Sequence, residues 1–201
     1  MKKMKSWMLA AILFCGASML PSCNGTATAD KTDDDTAAVV ETTGSDAFFP
    51  VMLQYLVDSI GVHYAQGEIC IPSCRAISIN ETNPDSLLVL GDFWVFNYNQ
   101  VGDTLKCVSG GSHPGKMVFQ KDEKGEYVVT LFDQVEDGAR NIESAKRIFG
   151  DMYNFFDTVN SDEKSRERIR AEYIANYVKE HNLPVKYYQD YGWPAKEIPV
   201  K

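Results

Sequence analysis

The sequence predicts an α+β domain, and three observations carry that prediction. Phe49, Met52, Leu53, Leu56 and Ile60 recur at helical spacing near the start of the folded part. Strand-like runs separated by turn residues then fill residues 68–135. Helical periodicity returns from Ala145 and continues to Asn182. One helix, an antiparallel meander of about four strands and two further helices make an α+β order, not an alternating α/β one.

The chain has 201 residues, 44% of them apolar and 24% charged, which excludes wholesale disorder and fibrous repeats. The formal charge is −8, but residues 1–22 hold three lysines and no acid, so the chain from Cys23 onward carries −11. Such acidity excludes the electrostatic footprint of a nucleic-acid binder. The start reads as an address. Lys2, Lys3 and Lys5 precede an apolar run from Trp7 to Leu20, followed by Pro21, Ser22 and Cys23. A basic start, a short apolar stretch and a small residue before the cut form a secretory signal over residues 1–22. The run falls short of the ~20 apolar residues a bilayer-crossing helix needs.

Leu20-Pro21-Ser22-Cys23 resembles the lipobox of bacterial lipoproteins, with Pro21 where a small or β-branched residue is commoner. The resemblance implies that Cys23 carries a diacylglycerol thioether and becomes an acylated N-terminus, palmitate-like chains giving stable attachment. Asn24 in the following position carries no inner-membrane retention signal, so the implied address is the outer membrane, on its periplasmic or outer face. Asp30-Lys31-Thr32-Asp33-Asp34-Asp35 resembles the acidic export tracts of surface lipoproteins of Gram-negative anaerobes, and it also reads as a solvated linker. Asp35-Thr36-Ala37 resembles an O-glycosylation site of the same bacteria. Residues 23–45, with five acids and one lysine, bury too little apolar surface to offset ordering entropy and predict a flexible tether.

A single domain over residues 46–201 follows. Asp46 is placed to cap the first helix, and Pro50 is tolerated in its first turn. Glu68 to Ile79 contains Pro72 and predicts an edge or bent strand. Ser86 to Tyr98 is apolar on both faces and predicts a central one. Thr104 to Val108 and Lys116 to Gln120 read as strands on either side of a Gly-rich break, and Tyr127 to Val135 closes the meander after Asp122-Glu123-Lys124-Gly125. Ala145, Phe149, Met152 and Phe156 form a helical stripe that Gly150 bends. Ser161 reads as the cap of a last helix carrying Ile169, Tyr173 and Tyr177, which Pro184 stops. Tyr188, Tyr191 and Trp193 belong to an aromatic tail that packs on the core. The element order resembles the cystatin-like and NTF2-like group, which implies a curved sheet wrapped around a helix. GDFWVFNYN, GDTLKCVSGGSHPG and DYGWP are similar to stretches of small lipoproteins of gut-type anaerobes, a resemblance that implies no activity.

Chemistry-bearing residues are sparse. Cys70, Cys74 and Cys107 permit a disulfide (70–74, 70–107 or 74–107), reduced buried thiols, or a zinc site with His113; no metal or cofactor motif is complete. Ser109 to Gly115 is a Gly-rich stretch without a P-loop ending, read as a bulge or wide turn, with His113 as a candidate ligand contact. His63 and His181 read as structural. Asp92 interrupts an apolar run and needs partners wherever it is buried. Asp92 and Asp133 are candidate cleft carboxylates, and Trp94, Phe96 and Tyr98 alternate along one face as a candidate aromatic pocket. The basic run Lys164 to Arg170, interleaved with glutamates, reads as an ion-paired, solvated helix face.

These readings predict a lipid-anchored binding module whose candidate ligand contacts are Asp92, Trp94, Tyr98, His113 and Asp133, taking a small molecule, a peptide or an envelope protein. An NTF2-like enzyme using Asp92 or Asp133 with His113 for proton transfer is the second reading, and a structural subunit of an envelope complex the third.

Overall fold

The computed structural model describes residues 47–83 and 85–199. The lipobox, the tether and the Asp46 cap lie outside them. Helix α1 spans Phe48–Tyr55 and runs on through a π turn, Leu56–Ile60, and a 3-10 turn, Gly61–His63. Its buried residues, Phe48, Phe49, Met52, Leu56 and Ile60, are the expected stripe with Phe48 added, Leu53 being only half-buried. Four long strands follow: β1 (Ile69–Asn83), β2 (Ser86–Val101), β3 (Thr104–Lys121) and β4 (Tyr127–Gln134). They form an antiparallel meander in a curled, half-barrel sheet. β2 lies between β1 and β3, and β1 with its Pro72 is at the edge, as the apolar pattern and the proline require.

The sheet is larger and more mixed than the sequence suggests. The tail adds β5 (Tyr187–Gln189), parallel to the first residues of β3, and β6 (Lys196–Glu197), antiparallel to β5. β4 pairs with the far end of β3 and β5 with its near end, so the length of β3 lets one strand hold both.

The expected break in β3 is absent. Ser109 to Gly115 stays in register, with Gly110 opposite Phe96 and Gly115 opposite Gly91. Glycine here serves close approach rather than a turn. Gly110 has φ +148°, and a Cβ there would stand 2.3 Å from the Val95 carbonyl oxygen and 2.7 Å from Phe96 Cα. A single bulge, at Val108 opposite the Asn97–Tyr98 step, is the only irregularity against β2.

After the sheet, one helical unit is broken at Gly150 into α2 (Asn141–Phe149) and α3 (Tyr153–Ser161). Gly150 adopts φ +52°, ψ −125°, which accounts for the expected bend. The last helix, α4 (Glu163–Glu180), is capped by Asp162, whose side chain accepts from the Ser165 amide; Ser161, the expected cap, instead ends α3.

Strand alternation sorts the core. Leu87, Val89, Phe93 and Val95 pack against α1 with Met117 and Phe119. On the opposite face, Leu90 packs with Ile148, Phe149 and Phe156 of α2 and α3. Tyr98 on that face packs with Ile174 of α4, Val185, Tyr188 and Ile198. β2 is thus covered on both faces, as a run apolar on both faces predicts.

Gly110→Ala should cost upward of about 2 kcal/mol, because its clashes are with backbone. Gly102→Ala, at a hairpin with φ +63° and open space, should cost only about 1 kcal/mol. Urea unfolding of both variants checks the order; equal losses would contradict the continuous strand.

Candidate functional site

Between the two apolar clusters on the α4 face, the sheet carries polar residues at consecutive cross-strand positions. Ser73 and Arg75 of β1 stand opposite Trp94 and Asp92 of β2, and Ser112 of β3 stands opposite Trp94. Asp92, Trp94 and Arg75 are 1, 2 and 3% exposed. The Ser112 hydroxyl donates to Asp92 Oδ1, and Arg166 Nε of α4 lies 3.5 Å from Oδ2. Arg75 donates to the Val159 carbonyl at the end of α3. The guanidinium carbons of Arg75 and Arg166 sit 6.0 and 5.9 Å from the Trp94 ring centroid.

Burial pushes the Asp92 carboxyl above its ordinary 3.8, against the opposing pull of Ser112, Arg166, the Trp94 N–H and Arg75. Two guanidiniums face one carboxylate. Arg75 Nε and Nη2, Trp94 Nε1 and Ser73 Oγ are buried with no hydrogen bond of normal geometry. The partners that a buried Asp92 needs are thus supplied, and β1 carries a bulge at Ile77 opposite the Leu90–Gly91 step.

Above this floor opens a cleft of about 450 Å³ between β2, α4 and the tail. Trp94 and Phe96 line it from the sheet, Arg166 and Arg170 from the helix, and Asp190, Trp193 and Lys196 from the tail. Arg170 is pinned. Its guanidinium pairs with Asp190, donates from Nε to the Tyr98 hydroxyl at 3.2 Å and stacks 4.0 Å over the Phe96 ring. Burial works against its charge, but Tyr98 and Asp190 outweigh burial and hold the proton more tightly than usual. Lys196 pairs with Glu167 across the cleft wall. Trp193 is 68% exposed on a turn closed by its amide donating to the Asp190 carbonyl at 3.1 Å, and by Gln189 Nε2 donating to the Trp193 carbonyl at 2.8 Å.

The five candidate contacts do not form one pocket. Trp94 edges the cleft and Asp92 lies beneath it. Tyr98 is fully buried, and its hydroxyl positions Arg170. Asp133 forms a two-pronged ion pair with Arg147 at 2.6 and 3.0 Å, joining β4 to α2, and that pairing holds its carboxyl below the usual range. His113 is on the α1 face, opposite Phe93. Its Nε2 meets the Tyr64 hydroxyl and its Nδ1 meets Gln134 Oε1, both at 2.9 Å. Strand alternation therefore puts His113 on the other side of the sheet from Asp92 and Asp133, and neither expected proton-transfer pair is assembled.

The three thiols, Cys70, Cys74 and Cys107, are unpaired. Cys70 and Cys74 are four residues apart on an extended strand, about 13 Å, and β2 separates both from Cys107 by two strand spacings, about 9.5 Å. A disulfide needs Cα atoms within about 7 Å. Burial pushes the Cys74 thiol up to about 12, consistent with an inert core cysteine. Among the described residues, no three His, Cys, Asp or Glu side chains converge as metal ligands.

Reading the sequence alone missed Arg75, Arg166, Arg170 and Asp190. The basic run of α4 is an ion-paired surface at Arg168, which meets Glu172 at 2.7 Å, but Arg166 and Arg170 turn inward. Their spacing held the signal: 166, 170 and 174 lie on one helical stripe, and Ile174 is core. The chain matches no protein-family model, no curated protein and no solved structure.

The raised carboxyl of Asp92 has a consequence for stability. As pH rises from 3.8, the unfolded chain releases this proton before the folded one does, so the contribution of Asp92 falls with rising pH. Asp92→Asn keeps an acceptor for Ser112 and should flatten that decline while staying within about 1 kcal/mol of the parent at neutral pH. Asp92→Leu removes the acceptor and should cost about 2–4 kcal/mol. Urea unfolding across pH measures both. Parallel pH profiles for the parent and Asp92→Asn would mean that burial does not dominate this carboxyl.

Proposed function

We propose that the protein is a lipid-anchored binding module of the bacterial envelope, tethered at the outer membrane through Cys23. In this reading it offers the cleft between β2, α4 and the tail to a small molecule or peptide. The observation that carries it is the cleft itself: about 450 Å³, with a rigid guanidinium–aromatic wall and an exposed tryptophan on a hydrogen-bonded rim. That volume lies within the range of about 300–1,000 Å³ typical of small-ligand sites. A large aromatic left in water on an ordered turn gains nothing for folding, which favours a role in contact. The ligand surface is accordingly the rim and wall of the cleft, because the sheet face beneath is filled by its own side chains.

The anchor is supported by the basic start, the apolar run and the cysteine at position 23, and the acidic tether fits a spacer that holds a domain off the bilayer. Cys23→Ala should move the protein from the membrane to the soluble fraction, read by fractionation and immunoblot. Retention of the variant in the membrane fraction would overturn the lipid assignment.

A further inference from the structure

We infer that the cleft recognises a neutral saccharide, a deduction that rests on reading it as the ligand site. The charges lining it are balanced, and all but Glu163 are already engaged. Arg170 pairs with Asp190, Lys196 with Glu167, and Arg166 with Asp92 below. A strongly anionic ligand would have to break one of these pairs or approach it uncompensated, at a desolvation cost, and a cationic one finds only the exposed Glu163 unpaired. A polyhydroxylated ligand faces no such conflict. Each hydroxyl both donates and accepts, so one can donate a hydrogen bond to a carboxylate while a neighbouring hydroxyl accepts one from a guanidinium, and the pairs stay intact. Glu163 adds an acceptor, since among the described residues it has no cation partner.

Trp193 supplies the other half of the chemistry. A pyranose ring carries a face of C–H groups, and an indole ring, with its negative π face, is a flat apolar partner for it. The ring stands at the rim with 68% of its surface in water, on a backbone turn that two hydrogen bonds and Gly192 at φ +77° fix before any ligand arrives. Tyr191 beside it is 93% exposed. A platform fixed beforehand loses little entropy on binding. The two sheet aromatics of the cleft are already covered, Phe96 by Arg170 and Trp94 by Arg166.

The test is isothermal titration and tryptophan fluorescence of the full lipoprotein, extracted in a detergent without sugar headgroups. The probes are neutral hexasaccharides of glucose (β1,4-, β1,3- and α1,4-linked) and mannose, with oligogalacturonate, hexaglutamate and hexalysine as charged counterparts. The expected result is saturable binding of at least one neutral saccharide, with perturbed tryptophan emission. Trp193→Ala should weaken it about tenfold or more, Trp193→Phe should restore most of it, and neither should shift the unfolding midpoint. Failure of all neutral saccharides overturns the inference. If a charged probe binds instead and Trp193→Ala weakens it, the saccharide class falls while the cleft reading survives. Saccharide binding indifferent to Trp193→Ala and to Arg166→Ala overturns both readings.

Discussion

The carboxylate of Asp92, buried on the α4 face of the sheet between the Ser112 hydroxyl and the Arg166 guanidinium, is the constraint around which the structure is arranged. It divides that face into an apolar cluster under α2 and α3 and another under α4 and the tail. A group this buried tolerates only a narrow set of neighbours. Ser112 must come from β3, Arg75 from β1 and Arg166 from α4, so one side chain specifies the register of three strands and the docking of a helix. Burial wins over these partners in setting the proton affinity of Asp92, so the cluster contributes little net stability. Its effect is on specificity: a one-residue slip of β1 would bring Arg75 to the α1 face, among Phe93 and Met117, where no carboxylate waits.

The same register explains how the site is put together. Arg166 reaches down to Asp92 and up to the cleft, and Arg170, one turn later, ties Tyr98 of the sheet to Asp190 of the tail. The tail could not otherwise form the third wall. Its strands are three and two residues long, too short to hold without the parallel pairing of β5 on β3 and the Arg170–Asp190 pair. Fold and cleft draw on the same guanidiniums, and a ligand that contacts them therefore meets groups already fixed in place.

What could be read from the sequence follows physical range. The α1 stripe, the edge position of β1 and the centrality of β2 depend on local periodicity, on one proline and on a run apolar on both faces, all written within a dozen residues. The curl and the added strands are not local. β5 and β6 are too short to leave a periodic trace, and β5 has a place because β4 leaves the near end of β3 unpaired. The glycines of β3 misled because glycine marks a turn and a close approach alike. Only the packing of Phe96 and the Val95 carbonyl against Gly110 separates the two. The site was legible in composition but not in geometry. Trp94 and Asp92 stand out in the sequence as an aromatic and a misplaced acid, whereas the separation of His113 from Asp92 depends on a cross-strand register that nothing local encodes.

That register also decides what kind of chemistry the molecule supports. A histidine clamped between Tyr64 and Gln134 has both ring nitrogens occupied, and it faces α1 rather than a cleft. The carboxylates on the opposite face are each committed to an arginine, Asp92 to Arg166 and Asp133 to Arg147. Proton transfer needs a group with a free position within reach of a reacting atom, matched by a second group of displaced affinity. Here Asp92 and Tyr98 have displaced affinities but are locked in the core, Asp133 is held by Arg147 and Arg170 by Asp190, while an open indole and the exposed Glu163 meet solvent at the cleft. In the proposed reading, such a surface holds a ligand by directional contacts from a rim that the buried floor fixes in place.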